Sequence, residues 1–160
     1  MSVPENVALM RRWFKEVWNE GRMQTVHELL DENATGFGQV GHGTGIHGPA
    51  DFIPFVQRFR GAFPDIKVTV EEAFGSDQNV AVRWFANMTH TGGDLGIPPT
   101  NRKAHVTGMT MVHIKDGKII LGWDNWDQLA LMRQIGAIPE SDPSHPTLME
   151  RKNPAQSAAH

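Results

Sequence analysis

With 160 residues, 39% of them hydrophobic and 21% charged, the chain is sized for one domain that buries a core without staples. A net charge of −3 supplies no basic field for nucleic acid or anionic lipid, and the absence of cysteine excludes disulfides, thiolate catalysis and zinc-thiolate sites. No apolar run reaches the ~18 residues of a membrane span, and Met1-Ser-Val-Pro-Glu5 has neither a basic nor an apolar leader region, so a cytoplasmic protein is expected.

Ser2-Val-Pro-Glu5 fits a capping box with proline in the first turn, opening a helix that Gly21 stops. Along it Val7, Met10, Trp13, Phe14, Val17 and Trp18 recur at helical spacing, which reads first as core packing and second as a share in a pocket lining. Met23 to Leu30 suggests a shorter helix. The glycine-rich run from Thr35 to Gly48 follows, carrying His42 and His47. It lacks the Gly-Lys-Ser/Thr of a phosphate loop and any strand-turn-helix frame for a dinucleotide fingerprint. Its two histidines have no carboxylate or thiolate cluster beside them, so no metal site is expected.

Pro49 to Ala62 predicts a third helix with Phe52, Phe55, Val56 and Phe59 on one stripe, ended by Phe63-Pro-Asp65. Pro54 fits best in the first turn, which would start this helix near Asp51. Ile66 to Phe74 and Val80 to His90 alternate as strands around a turn at Ser76-Asp-Gln-Asn79. Val80, Val82, Trp84, Ala86 and Met88 share one face of the second strand, and Arg83, Phe85 and Asn87 the other.

From His105 to Asp127 the chain reads as two long strands folded on Asp116-Gly117. A three-residue loop with a bulge would pair Ile114 with Lys118 and Thr110 with Gly122, placing Asp124 on the face of Gly108 and Thr110. The opposite face then carries Met109, Met111 and His113 with Ile119, Leu121 and Trp123. Gln128 to Ile135 makes a last helix stopped by Gly136, with Asp127 as its N-cap. Residues 139–160, rich in proline, serine and charge, read as a flexible tail after a single domain over 1–138.

Three helices followed by four long strands in meander order predict an α+β fold, a strongly bent antiparallel sheet with the N-terminal helices packed in its concavity. Such a half-open cone leaves a pocket between helices and sheet.

Trp18-Asn-Glu-Gly21, Gly61-Ala-Phe-Pro-Asp65, Val82-Arg-Trp84, Thr89-His-Thr-Gly92, Gly96-Ile-Pro-Pro-Thr100, Asp116-Gly-Lys118, Trp123-Asp124 and Arg133-Gln-Ile-Gly136 together resemble the SnoaL-like polyketide cyclase (ester cyclase) family of the nuclear-transport-factor-2-like superfamily. The likeness runs from about Val7 to Pro139. It implies an α+β cone that is dimeric or tetrameric through the open sheet face. It also implies closure of a ring in an aromatic polyketide ester by intramolecular aldol condensation, without metal or cofactor. In the family an aspartate near the end of the last long strand is general acid/base, with a histidine on the neighbouring strand. Asp124 matches the aspartate; Thr110 stands where the histidine is expected, with His105 and His113 displaced from it.

Aldol closure removes a proton from a carbon beside a carbonyl and later protonates an alkoxide, so a useful carboxylate needs a raised pKa. Trp123 and Trp126 flank Asp124 but would mostly point the other way on a strand, leaving the apolar lining largely to the helices. The candidate catalytic residues are therefore Asp124, His105 and His90. The candidate substrate-binding residues are Trp13, Phe14, Trp18, Phe55, Asn87, Thr110 and Trp126, around a small hydrophobic carbonyl compound. The plainer reading of Asp124 is a strand-end acid bonded to backbone amides or to Arg83. A non-catalytic ligand-binding or dimerisation domain, or hydration of an epoxide, are the alternatives; His113 is expected at the surface.

Overall fold

The computed structural model describes residues 2–39 and 45–139. His42 and nearly all of the expected tail lie outside the described residues. Helix α1 spans Val3–Trp13 and begins with the expected capping box, in which the Ser2 hydroxyl accepts the Glu5 amide and the Glu5 carboxylate accepts the Ser2 amide at 2.6 Å. The helix does not run unchanged to Gly21: Phe14–Asn19 forms a π-helical turn, and Gly21, at φ 67°, ends it. At that end, the Asn19 carboxamide takes the Val68 amide at 2.6 Å and donates to the Val68 carbonyl at 2.9 Å. Arg60 donates to the Trp18 and Asn19 carbonyls, so both sides of the turn's C-terminus are clamped.

Helix α2 is Met23–Leu29, and α3 is Gly48–Ala62. Because α3 starts at Gly48, Pro54 lies inside it rather than in the first turn. Its missing amide is tolerated on an exposed side, where water can reach the Ala50 carbonyl. The strands are β1 Leu30–Phe37, β2 Ile46–His47, β3 Lys67–Ser76, β4 Asn79–Thr89, β5 Lys103–Lys115 and β6 Lys118–Trp126, and α4 is Gln128–Gln134. Asp127 caps α4 through the Ala130 amide at 2.9 Å, as the sequence suggests.

The strands form one curved, open sheet in the order β2-β1-β6-β5-β4-β3. Part of the glycine-rich run is thus a strand, and the sheet is mixed: β1 runs parallel to β6 while the other neighbours are antiparallel. The α+β class and the helices in the concavity are as expected. Phe52, Val56 and Phe59 of α3 are buried there with Trp13, Phe14 and Val17, each large apolar side chain contributing roughly 1.5–3 kcal/mol.

The β5/β6 register differs from the expected one by two residues. Asp116 and Gly117, both at positive φ, make a two-residue turn between paired Lys115 and Lys118, and the bulge sits one step later, between His113 and Ile114. Thr110 therefore faces Asp124, not Gly122. A two-residue offset preserves the face, so Asp124 still shares its side with Thr110 and Gly108. The bulge also turns Ile119 inward beside Ile114, whereas Met109, Met111, Leu121 and Trp123 keep to the outer face. No helix among the described residues is long and apolar enough to cross a membrane.

Candidate functional site

A cavity lies between the π turn, α3 and the inner face of the sheet, enclosing about 950 Å³ of empty space including its mouth. Alternation decides which strand residues reach it. Trp84, Ala86 and Met88 of β4, Val106, Thr110 and Val112 of β5, and Asp124 and Trp126 of β6 all lie on the inner face. The helical side supplies Met10, Trp13, Phe14, Trp18, Phe52, Phe55 and Phe59. The Trp18 ring meets Phe52, Phe55 and Phe59 edge-on at 5.7 to 6.3 Å. Trp126 crosses Phe59 at 5.9 Å. Trp126 thus lines the cavity, because two residues along a strand return to the same face; only Trp123 points away.

Asp124 is the single carboxylate among the described lining residues, and neutral donors hold both of its oxygens. The Thr110 hydroxyl donates to Oδ1, and the Gln39 carboxamide donates from Nε2 to Oδ2 at 2.6 Å. Behind Thr110, the Trp84 indole N–H donates to the hydroxyl at 3.0 Å. Gly108 makes this possible: a Cβ there would stand 2.3 Å from the Trp84 ring, which lies across the bare strand. Burial raises the Asp124 pKa from 3.8 to about 6, and the bonds from Thr110 and Gln39 pull it down only partly. What surface Asp124 keeps faces the cavity.

The plainer roles expected for this acid are not what the geometry shows. Asp124 takes no backbone amide bond among the described residues, and Arg83 is on the outer face, paired with Glu71 and, at 3.2 Å, with Glu72.

The candidate residues divide into three groups. Trp13, Phe14, Trp18, Phe55, Thr110, Asp124 and Trp126 surround one cavity. Asn87 and His105 do not join them: they pair across β4 and β5 on the outer face, where His105 Nδ1 lies 2.7 Å from Asn87 Oδ1 and the ring lies against Phe85. Each sits an odd number of residues from a lining neighbour, so the pleat turns it outward. His90 is fully buried beyond the end of β4, packed on Phe63 with Nδ1 bonded to Thr100, and it does not line the cavity. His113, half-buried on the outer face, meets Gln78 at 2.7 Å. Among the described residues no three or more His, Cys, Asp or Glu side chains gather as a metal site.

Gln39 and Trp84 are the members that residue-by-residue reading misses. The alternation of β4 already puts Trp84 on the inner face. Gln39 carries no local signal, because it reaches Asp124 through the parallel pairing of β1 with β6, remote in sequence.

Comparison with known proteins agrees with this architecture. The family model described as SnoaL-like polyketide cyclase matches residues 8–135. The chain is 29% identical over 133 residues to the aklanonic acid methyl ester cyclase DauD of Streptomyces sp. (strain C5), covering 81% of each chain. A proposed SnoaL-like polyketide cyclase from Jannaschia sp. CCS1 superposes with a TM-score of 0.77 at 26% identity, over 86% of this chain and 95% of that one. IdmH of Streptomyces antibioticus, a proposed polyketide cyclase, gives 0.70 at 25% identity, over 82% and 98%. The chain belongs to the SnoaL-like polyketide cyclase family.

Proposed function

We propose that the chain catalyses a cofactor-independent intramolecular aldol cyclisation of an apolar, polyketide-type carbonyl compound, with Asp124 as general acid/base. The observation that carries this reading is the carboxyl group of Asp124, poised at about 6 in an aromatic cavity with only neutral donors around it. At pH 7 such a group is about nine-tenths ionised, yet its conjugate acid is near enough in strength to return a proton.

The step balances without an oxidant or reductant. Asp124 removes a proton from a carbon flanked by two carbonyls; the enolate carbon bonds to a third carbonyl carbon of the same molecule; the new alkoxide takes the proton back. The product is an isomer of the substrate. The fixed aromatic walls support the reaction by holding the chain folded, which supplies proximity that solution lacks.

The name of the Streptomyces relative makes aklanonic acid methyl ester the first compound to try. Ring closure would show as a product of unchanged mass and altered retention. Asp124→Asn should lower the rate about 10³-fold while the variant stays folded. Wild-type rates in that variant, or an Asp124 pKa at or below ~4 by carbon-detected NMR, would remove Asp124 from the chemistry.

We also propose that two copies associate through the outer face, where Met111 and Trp123 are cross-strand partners and Met109 is exposed beside them. Light scattering of Met109→Lys/Met111→Lys should report a monomer where the wild type reports a dimer; a monomeric wild type would end this proposal.

A further inference from the structure

The acid at the cavity wall is held from two sides by unlike means. Thr110 is its cross-strand partner, so that bond follows from the sheet register itself. Gln39 comes from the segment after β1, and nothing in the ladder requires its side chain to be there. Its backbone is brought in by contact: Gly38 has φ 87°, and a Cβ at that residue would lie 1.8 Å from the Asp124 carbonyl oxygen. From the other side the Gln128 side chain of α4 donates to the Gly38 carbonyl at 3.2 Å.

The Gln39 carboxamide has one partner. Nε2 serves Asp124 Oδ2, and the oxygen Oε1 is buried with no hydrogen-bond partner among the described residues. A carboxylate oxygen only accepts, which fixes the nitrogen toward Asp124 and leaves the orphan oxygen on the far side. A buried amide with one end unsatisfied weakens a fold relative to an apolar side chain of the same shape. Stability of the fold therefore does not explain this residue; its bond to the acid does. No other titratable or charged side chain among the described residues faces the cavity from α1, the π turn, α3, β1, β4, β5 or β6. Among the described residues, burial and these two donors set the charge state of Asp124.

We propose that Gln39 is a positioning residue for the acid: its carboxamide keeps Asp124 in the carboxylate form and fixes the plane of the carboxyl group, and Gln128 holds Gln39 in place through the Gly38 carbonyl. The catalytic meaning of this rests on reading Asp124 as the general base, whereas the control of its ionisation does not. Without the amide, burial wins further, a larger share of the carboxyl group is protonated at neutral pH, and less of it is in the form that can take a proton.

Carbon-detected NMR titration of the Asp124 carboxyl carbon in the full chain reads this directly. The wild type should titrate near 6. Gln39→Met, close in volume and without a donor, should titrate about one unit higher, with Gln128→Ala between the two. With aklanonic acid methyl ester as probe, the acid limb of kcat/KM should move by the same amount. Activity that Gln39→Met loses at pH 7 should then return above pH 8, a recovery that mere misfolding would not give. Should Gln39→Met fail to fold, Gln39→Leu and Gln128→Ala read the same shift. An Asp124 titration unchanged or lowered in these variants overturns the proposal, whatever the activity. A raised titration in a protein whose wild type closes no ring supports the control by Gln39 and counts against the acid/base reading instead.

Discussion

The two faces of the sheet handle carboxylates in opposite ways. On the outer face Glu71 and Glu72 of β3 meet Arg83 of β4 at 36% to 65% side-chain exposure, an arrangement water screens and stability barely notices. On the inner face Asp124 has no cation within reach among the described residues and is held by a hydroxyl and an amide, with indole and phenyl rings around it. Both environments are built on one sheet, and in β4 the adjacent residues Arg83 and Trp84 serve opposite ones. What separates a solvated ion pair from a poised acid is therefore the pleat, and the helices that close off one side from water.

The sharpest way to break that contrast is to remove the inner charge and follow stability against pH. The folded pKa of Asp124, about 6, lies above the unfolded value near 3.8, so its protonated form stabilises the fold. That contribution is complete below about 3.8 and is lost as pH rises through about 6. At neutral pH the ionised carboxyl therefore costs at most about 3 kcal/mol, less what cavity water offsets. Asp124→Asn should unfold in urea at higher concentration than the wild type at pH 7.5, by up to that amount, with the gap closing near pH 3.5. An Asn variant less stable at pH 7.5 would make Asp124 a structural acid.

A second test touches the packing that lets the inner face hold Trp84. Gly108→Ala puts a methyl carbon into the indole ring, so about 1–3 kcal/mol of stability should be lost, together with the Trp84 bond to Thr110. Chemical denaturation measures the first, and the Asp124 titration senses the second. The smallest effect is expected outside. His105→Ala and Asn87→Ala should each change stability by no more than about 0.5 kcal/mol and leave turnover within twofold, since both residues face away from the cavity. A large loss of activity in either would mean that the outer face acts on the chemistry.

Much of this organisation is legible in the chain itself, where local rules act. The Ser2 to Glu5 box, the Asp116-Gly117 turn and the Asp127 cap each state their structure within four residues. The inward face of Asp124 is legible too, although the bulge lies further along than the turn rule suggests, because faces survive an even offset. Alternation likewise puts Asn87 with Arg83 and away from Trp84, and its structural place follows that rule. The strand β1 is not legible. Asp31, Asn33, Thr35 and Gly36 offer no apolar alternation, and the strand exists because β6 offers it a parallel ladder from far along the chain. Gln39 shares that blindness, since its meaning lies wholly in a contact 85 residues away.

The π turn gives this pocket an unusual route to change. A π turn holds one residue more than the α-helical turn it replaces, so deleting one residue between Phe14 and Asn19 would restore regular helix while both flanks stay in phase. Asn19 and Arg60 clamp the downstream flank and α1 keeps Met10 and Trp13 at the cavity, so the change would fall on Phe14 and Trp18, the lining residues inside the turn. A single codon lost there reshapes the cavity wall at one turn while the lining residues on either side keep both identity and place.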